Sequence, residues 1–128
     1  MKYYTNKVLD GNFNDVIEKV TNALKEEGFG VLTEVDVTAT FKKKLDVDFR
    51  NYRILGACNP PNAHEALTAE PHIGLMLPCN VVVQEVEDGK IDVAAIDPKA
   101  SMAAIENKDV EKVAERIKGQ LETVINKL

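Results

Sequence analysis

Two segments of the chain place apolar residues at the spacing of an amphipathic helix. The first runs from Phe13 to Glu27 and stops at Gly28, which is free to take the left-handed conformation that ends a helix. The second runs from about Lys108 to Lys127, and Lys127 suits the negative end of its dipole. We expect both apolar stripes to be buried against one sheet face: Phe13, Val16, Ile17, Val20, Leu24, Ile117, Leu121 and Val124.

Five further segments have the composition of β-strands. In the second, alternation places the valines and Thr33 on one face and Glu34 and Asp36 on a wet face. The third is apolar on both faces, which indicates a central position in the sheet. Asp88 and Gly89 form a hairpin turn before the last strand. The predicted strands are Lys2–Val8, Val31–Val37, Tyr52–Cys58, Cys79–Val86 and Ile91–Ile96.

Two short helices are predicted between the strands. Thr38 is a candidate cap for a helix that continues to Leu45, with Phe41 and Leu45 pointing inward. Asn59 caps a second helix, which starts with two prolines and ends at about Ala69. The order of elements predicts an α+β fold in one domain, residues 1–128, with helices on one face of an antiparallel sheet.

Composition excludes some partners and indicates a compartment. The net charge of −5 disfavours nucleic acid, because phosphate binding needs a basic surface. No apolar signal-peptide region follows Met1 and no apolar run is long enough for a membrane span, so we expect a cytoplasmic protein with no membrane partner. In that reducing compartment the two cysteines are expected to be free thiols.

The second face of the predicted sheet mixes polar and apolar residues. Val82, Val86 and Ile96 lie near polar positions such as Gln84. Because a half-apolar exposed face is often covered by a second subunit, we expect a homodimer.

The chemistry-bearing residues are concentrated in Gly56–Val83, which holds both cysteines, both histidines and all but one of the five prolines. Cys58 precedes the cap of a helix, whose positive N-terminus stabilises a thiolate. If the strands that carry Cys58 and Cys79 are antiparallel neighbours, the two thiols lie at adjacent strand ends. The candidate ligand-binding residues are Cys58, Asn59, His64, Cys79 and Asn80.

A metal site is a second interpretation of the same segment. Cys58, His64, His72 and Cys79 are competent ligands for zinc or another soft metal ion. Their spacing matches no standard zinc finger, so the alternative is two surface histidines and two packed cysteines. Asn59 has a structural alternative as a helix cap, and Asn80 as a partner of backbone groups at the strand ends.

The chain resembles the domain-of-unknown-function family 302 over nearly its whole length. The segments that carry the resemblance are Gly28–Val31, Tyr52–Pro60, Gly74–Val83 and Asp97–Pro98. The resemblance implies a β-α-β4-α arrangement of the TATA-binding-protein-like type, with two long helices on one face, in small stand-alone bacterial or archaeal proteins. It does not imply DNA binding, since a fold does not fix a function.

Three hypotheses for the function follow. The protein is a binding module for a small ligand or metal ion around the two cysteines, which is the interpretation we favour. Alternatively, it is a thiol-based redox or nucleophilic enzyme that uses Cys58, with Cys79 as the resolving partner. The third hypothesis is a structural or interaction homodimer without chemistry.

Overall fold

The computed structural model describes residues 2–128 and has the predicted α+β architecture. The strands are β1 Tyr4–Asp10, β2 Gly30–Asp36, β3 Tyr52–Cys58, β4 Cys79–Glu87 and β5 Lys90–Ile96. The helices are α1 Phe13–Glu26, α2 Val37–Leu45, α3 Pro60–Ala69, α4 Pro98–Ser101 and α5 Lys108–Asn126. A 3-10 helix spans Pro71–Met76, so the chain has more short helical segments than the two predicted.

All five strands form one antiparallel sheet in the order β1-β5-β4-β3-β2. The long helices α1 and α5 contact each other, and both pack on the same face of this sheet. The buried strand residues on that face include Leu55, Val81, Val83 and Val93. The β-α-β4-α arrangement, with two long helices on one face, is therefore confirmed.

The predicted helix stripes form the core. Val20, Leu24 and Val124 are fully buried, as their spacing predicts, whereas Ile17 is only half-buried at the margin of the core. The ends of α1 are closed by local chemistry: the Asn12 side chain accepts hydrogen bonds from two backbone N–H groups, and Gly28 has a φ of 82°.

Two expectations for α2 are wrong. Asp36, not Thr38, caps α2, because its carboxylate accepts from the Ala39 N–H at 2.9 Å. The Thr38 hydroxyl instead donates to the Arg50 carbonyl at 2.7 Å. Leu45 does not point inward and is 66% exposed.

The face of the sheet opposite α1 and α5 is partly polar. Asp92 is buried there and accepts hydrogen bonds from Asn6 Nδ2 at 2.8 Å and Gln84 Nε2 at 3.4 Å. Val82 and Ile96 lie beside this network and are half-buried. Among residues 2–128, no helix combines the length and the apolar character that crossing a bilayer requires.

Candidate functional site

The ends of two central strands bring the cysteines into one region. β3 ends at Cys58 and its antiparallel neighbour β4 begins at Cys79, which lies opposite Ala57 in the register. The two cysteines therefore lie at adjacent ends of neighbouring strands, as the antiparallel alternative predicts. Both are free thiols; Cys79 is buried and Cys58 is half-buried.

A cavity of about 270 Å³ opens beside the two thiols. Its walls come from β2, from the ends of β3 and β4, from α3 and from α5. Among the residues that the structure describes, no charged side chain lines it. The lining residues are Phe29, Leu32, Thr33, Ala57, Cys58, Asn59, Ala63, Ala66, Leu67, Leu77, Pro78, Cys79, Met102 and Ile117.

Burial makes the two thiols chemically unequal. Burial, together with the neighbouring Cys58 thiol, raises the pKa of Cys79 from 9.0 to about 11. The Cys79 thiol is therefore protonated at neutral pH, and it behaves as a small apolar group in the cavity wall.

The Asn59 side chain has a structural role in the cavity wall. Its Oδ1 accepts from the Asn62 N–H at 3.3 Å, which caps α3, and its Nδ2 donates to the Glu27 carbonyl at 3.3 Å. These two bonds join the start of α3 to the end of α1. The predicted cap is confirmed, and both polar atoms of the amide already have protein partners.

Gly56 permits close packing of β3 against Thr33 of β2 and against Pro78. A Cβ at this position would overlap the Thr33 hydroxyl oxygen and would lie 2.8 Å from Pro78 Cγ. Glycine is needed here because neighbouring chain segments approach the backbone closely.

Comparisons with known proteins place this arrangement in a family. Residues 4–128 match the family described as "Domain of unknown function DUF302". The chain belongs to the DUF302 family. The chain is also similar to a solved structure from Bacillus stearothermophilus, described as an uncharacterized conserved DUF302 protein, with 28% sequence identity, 98% of each chain covered and a TM-score of 0.90. No curated protein matches it.

The DUF302 fold does not gather the other predicted site residues at the cavity. His64 and His72 are exposed, and neither lines it. Asn80 pairs with Gly56 and lies on the opposite face of the sheet from Cys79. Within residues 2–128, no group of three or more His, Cys, Asp or Glu side chains is arranged to hold a metal ion.

The sequence did not predict one polar cluster of this DUF302 chain, which joins α3 to α5. The Asn62 side chain is 3% exposed, accepts from Arg116 at 2.8 Å, and donates to Gln120 Oε1 at 2.9 Å. Arg116 also pairs with Glu65 at 2.8 Å, and this hydrogen bond lowers the pKa of the Glu65 carboxyl. The cluster fixes α3 against α5 and so holds one wall of the cavity in place. The only sequence signal was an asparagine within an alanine-rich helix.

β2 contributes an irregularity that its sequence alternation did not reveal. Val31 pairs with Ala57 and Thr33 with Gly56, so Leu32 is an extra residue without a partner in the register. Such a β-bulge changes the direction of a side chain. Leu32 is consequently 68% exposed and lines the cavity.

A larger, polar cavity of about 660 Å³ lies at the other end of the sheet. Its charged groups are largely paired: Arg53 contacts Asp36 at 3.3 Å, and Asn51 donates to Glu85 at 2.9 Å. The Nε of Arg53, however, is buried and has no hydrogen-bond partner among the described residues. We take the apolar cavity at the cysteines as the candidate site, because its lining contains three of the predicted site residues, Cys58, Asn59 and Cys79.

Proposed function

We propose that this DUF302 protein binds a small, uncharged and mainly apolar molecule in the cavity beside Cys58 and Cys79. The observation that carries the proposal is the lining, which contains no charged side chain among the described residues. Ligand sites are typically concave and mainly apolar, with a few polar groups that orient the ligand.

Charge and chemistry at the site favour a neutral ligand. An ion placed in this cavity would lose its hydration without gaining an oppositely charged partner, which is costly. Cys58, which lines the cavity, supplies a polar group for one end of a ligand. A metal ion would have to displace the proton of Cys79, whose pKa is raised to about 11.

A thiol reaction at Cys58 is the second candidate function. It is favoured by the position of the half-buried Cys58 thiol in the cavity wall, where it would lie against a bound molecule. Redox exchange between the two cysteines is disfavoured, because the protonated Cys79 thiol is a poor nucleophile at neutral pH.

The proposal is tested by NMR titration of the methyl-labelled protein with 1-hexanol and with hexanoate. We expect saturable shifts of the Ala57, Ala66 and Ile117 methyl signals with 1-hexanol. The charged hexanoate, which has the same chain length, should bind much more weakly because the cavity provides no cation.

A cavity-filling variant supplies the control for the site of binding. Ala63→Leu adds carbon atoms to the lining, and the affinity for 1-hexanol should fall about tenfold or more. Ala69→Leu is the matched control, since Ala69 lies in the same helix and is also half-buried but does not line the cavity. Absence of saturable shifts, or equal affinity in Ala63→Leu and the native protein, would refute the proposal.

A further inference from the structure

We infer that the ligand is an elongated, uncharged alkyl chain, which fills the cavity and then continues outward along Leu32 and Leu67. This inference rests on the proposed function and specifies the shape of the molecule that the site accepts. It makes Leu32 and Leu67 the residues that determine the preferred chain length.

The first observation is the orientation of Leu32. The bulge in β2 leaves this residue out of the strand register, and its side chain lines the cavity while remaining 68% exposed. Leu32 is therefore part of the cavity wall and part of the outer surface at once. An apolar side chain in that position extends the apolar path beyond the cavity.

Leu67 is a second residue that belongs both to the cavity wall and to the outer surface. It lies on α3, lines the cavity and is 43% exposed. A Cβ at Gly74 would lie 3.8 Å from Leu67 Cδ2, so the 3-10 helix runs directly beside this leucine. The next residues of that helix, Leu75 and Met76, are 84% and 41% exposed. Exposed apolar residues scattered singly are ordinary, but Leu32 and Leu67 line an apolar cavity and continue its surface outward.

The size of the cavity supports an occupant that is longer than the cavity. At about 270 Å³ it lies just below the range of about 300–1,000 Å³ that is typical for sites that bury most of a ligand. A compact ligand would fit inside and would leave Leu32 and Leu67 in water. An elongated chain would fill the cavity and cover both leucines, which removes additional apolar surface from water.

A homologous series of 1-alkanols from 1-hexanol to 1-decanol tests this inference, with dissociation constants taken from the NMR titrations. For the native protein, affinity should rise about threefold to fourfold with each added methylene group through the whole series. The series separates the cavity from its apolar extension, because short members fit inside and long members do not.

The variant Leu32→Ser/Leu67→Ser should bind 1-hexanol nearly as tightly as the native protein and should lose most of the gain for 1-decanol. Leu32→Ser and Leu67→Ser alone should each lose part of the gain in affinity for 1-decanol. Leu45→Ser is the control, because Leu45 is also an exposed leucine (66%) but does not line the cavity. It should follow the native series.

Several results would overturn the inference. If affinity in the native protein stops rising before 1-decanol while 1-hexanol still binds, the ligand is compact and only the proposed function survives. If no alkanol binds, the proposed function itself fails. If Leu32→Ser/Leu67→Ser keeps the native series but changes the molecular mass in solution, the two leucines form an interface between copies of the chain.

Discussion

At the scale of single residues, the two cysteines have different surroundings and should react differently. Cys79 is 5% exposed and its pKa is raised to about 11, whereas Cys58 is half-buried at the cavity. At pH 8, iodoacetamide should modify Cys58 in the folded protein and leave Cys79 unmodified until the chain is unfolded. Mass spectrometry of peptides from the native protein and from Cys58→Ser checks this. Modification of Cys79 at the same rate as Cys58 would contradict the assigned burial.

The raised pKa of Cys79 also predicts a dependence of stability on pH. Below about pH 9 the thiol is protonated in both states, so its contribution to stability is fully present. Between pH 9.0 and about 11 the unfolded chain releases this proton and the folded chain keeps it, so stability falls by up to about 2–3 kcal/mol. Urea titrations at pH 8 and pH 11 should show this loss in the native protein and a smaller one in Cys79→Ala. An equal loss in both proteins would exclude Cys79 as its source.

Gly56 is a position where a single methyl group should matter. The added Cβ of Gly56→Ala would overlap the Thr33 hydroxyl and crowd Pro78, and such overpacking typically costs about 1–3 kcal/mol. Gly30→Ala is the matched control on the adjacent strand, since no atom lies within 4 Å of its added Cβ. Denaturant titration of both variants measures the difference; equal stabilities would mean that the packing over Gly56 is looser than described.

At the scale of elements, the cavity depends on how α3 is held against α5. The Asn62 side chain bonds to both Arg116 and Gln120. Asn62→Ala removes both hydrogen bonds and should lower the free energy of unfolding by about 1–3 kcal/mol, since one hydrogen bond contributes about 0.5–1.5 kcal/mol net. It should also accelerate hydrogen exchange in α3. Glu65→Gln is the comparison, because it removes only the exposed ion pair and should change stability little.

The elements that sequence predicted well are those whose signals are local. The 3.6-residue spacing in α1 and α5, the Asn59 cap and the Asp88-Gly89 turn each act within a few residues, and the structure contains all of them. The bulge at Leu32 could not be predicted from alternation, because it depends on the partner strand β3.

The difference between local signals and long-range contacts also explains which parts of the site the sequence did not predict. The adjacent ends of β3 and β4 followed from an antiparallel sheet, and so did the proximity of Cys58 to Cys79. The Asn62–Arg116 contact joins residues 54 positions apart and leaves no local pattern. His64 and His72 are suitable ligands by residue type, but their exposed positions on α3 and the 3-10 helix keep them out of the cavity.

At the scale of the whole molecule, the homodimer stays a prediction. The prediction rests on the partly apolar sheet face opposite α1 and α5, where Val82 and Ile96 are half-buried and Val86 is 48% exposed. Light scattering at micromolar concentration should give twice the monomer mass of 14.1 kDa. The variant Val82→Arg should shift the protein to the monomer. A monomer mass for the native protein would contradict the prediction.

The central claim is that an apolar molecule occupies the cavity beside the two cysteines. Intermolecular nuclear Overhauser effects between 1-hexanol and the protein methyl groups test it most directly, because they report distances to the bound molecule. We predict effects to Ala57, Ala66 and Ile117, which line the cavity, and none to Val82 or Ile96 on the opposite sheet face. Effects confined to the opposite sheet face, or none at saturating 1-hexanol, would contradict the account.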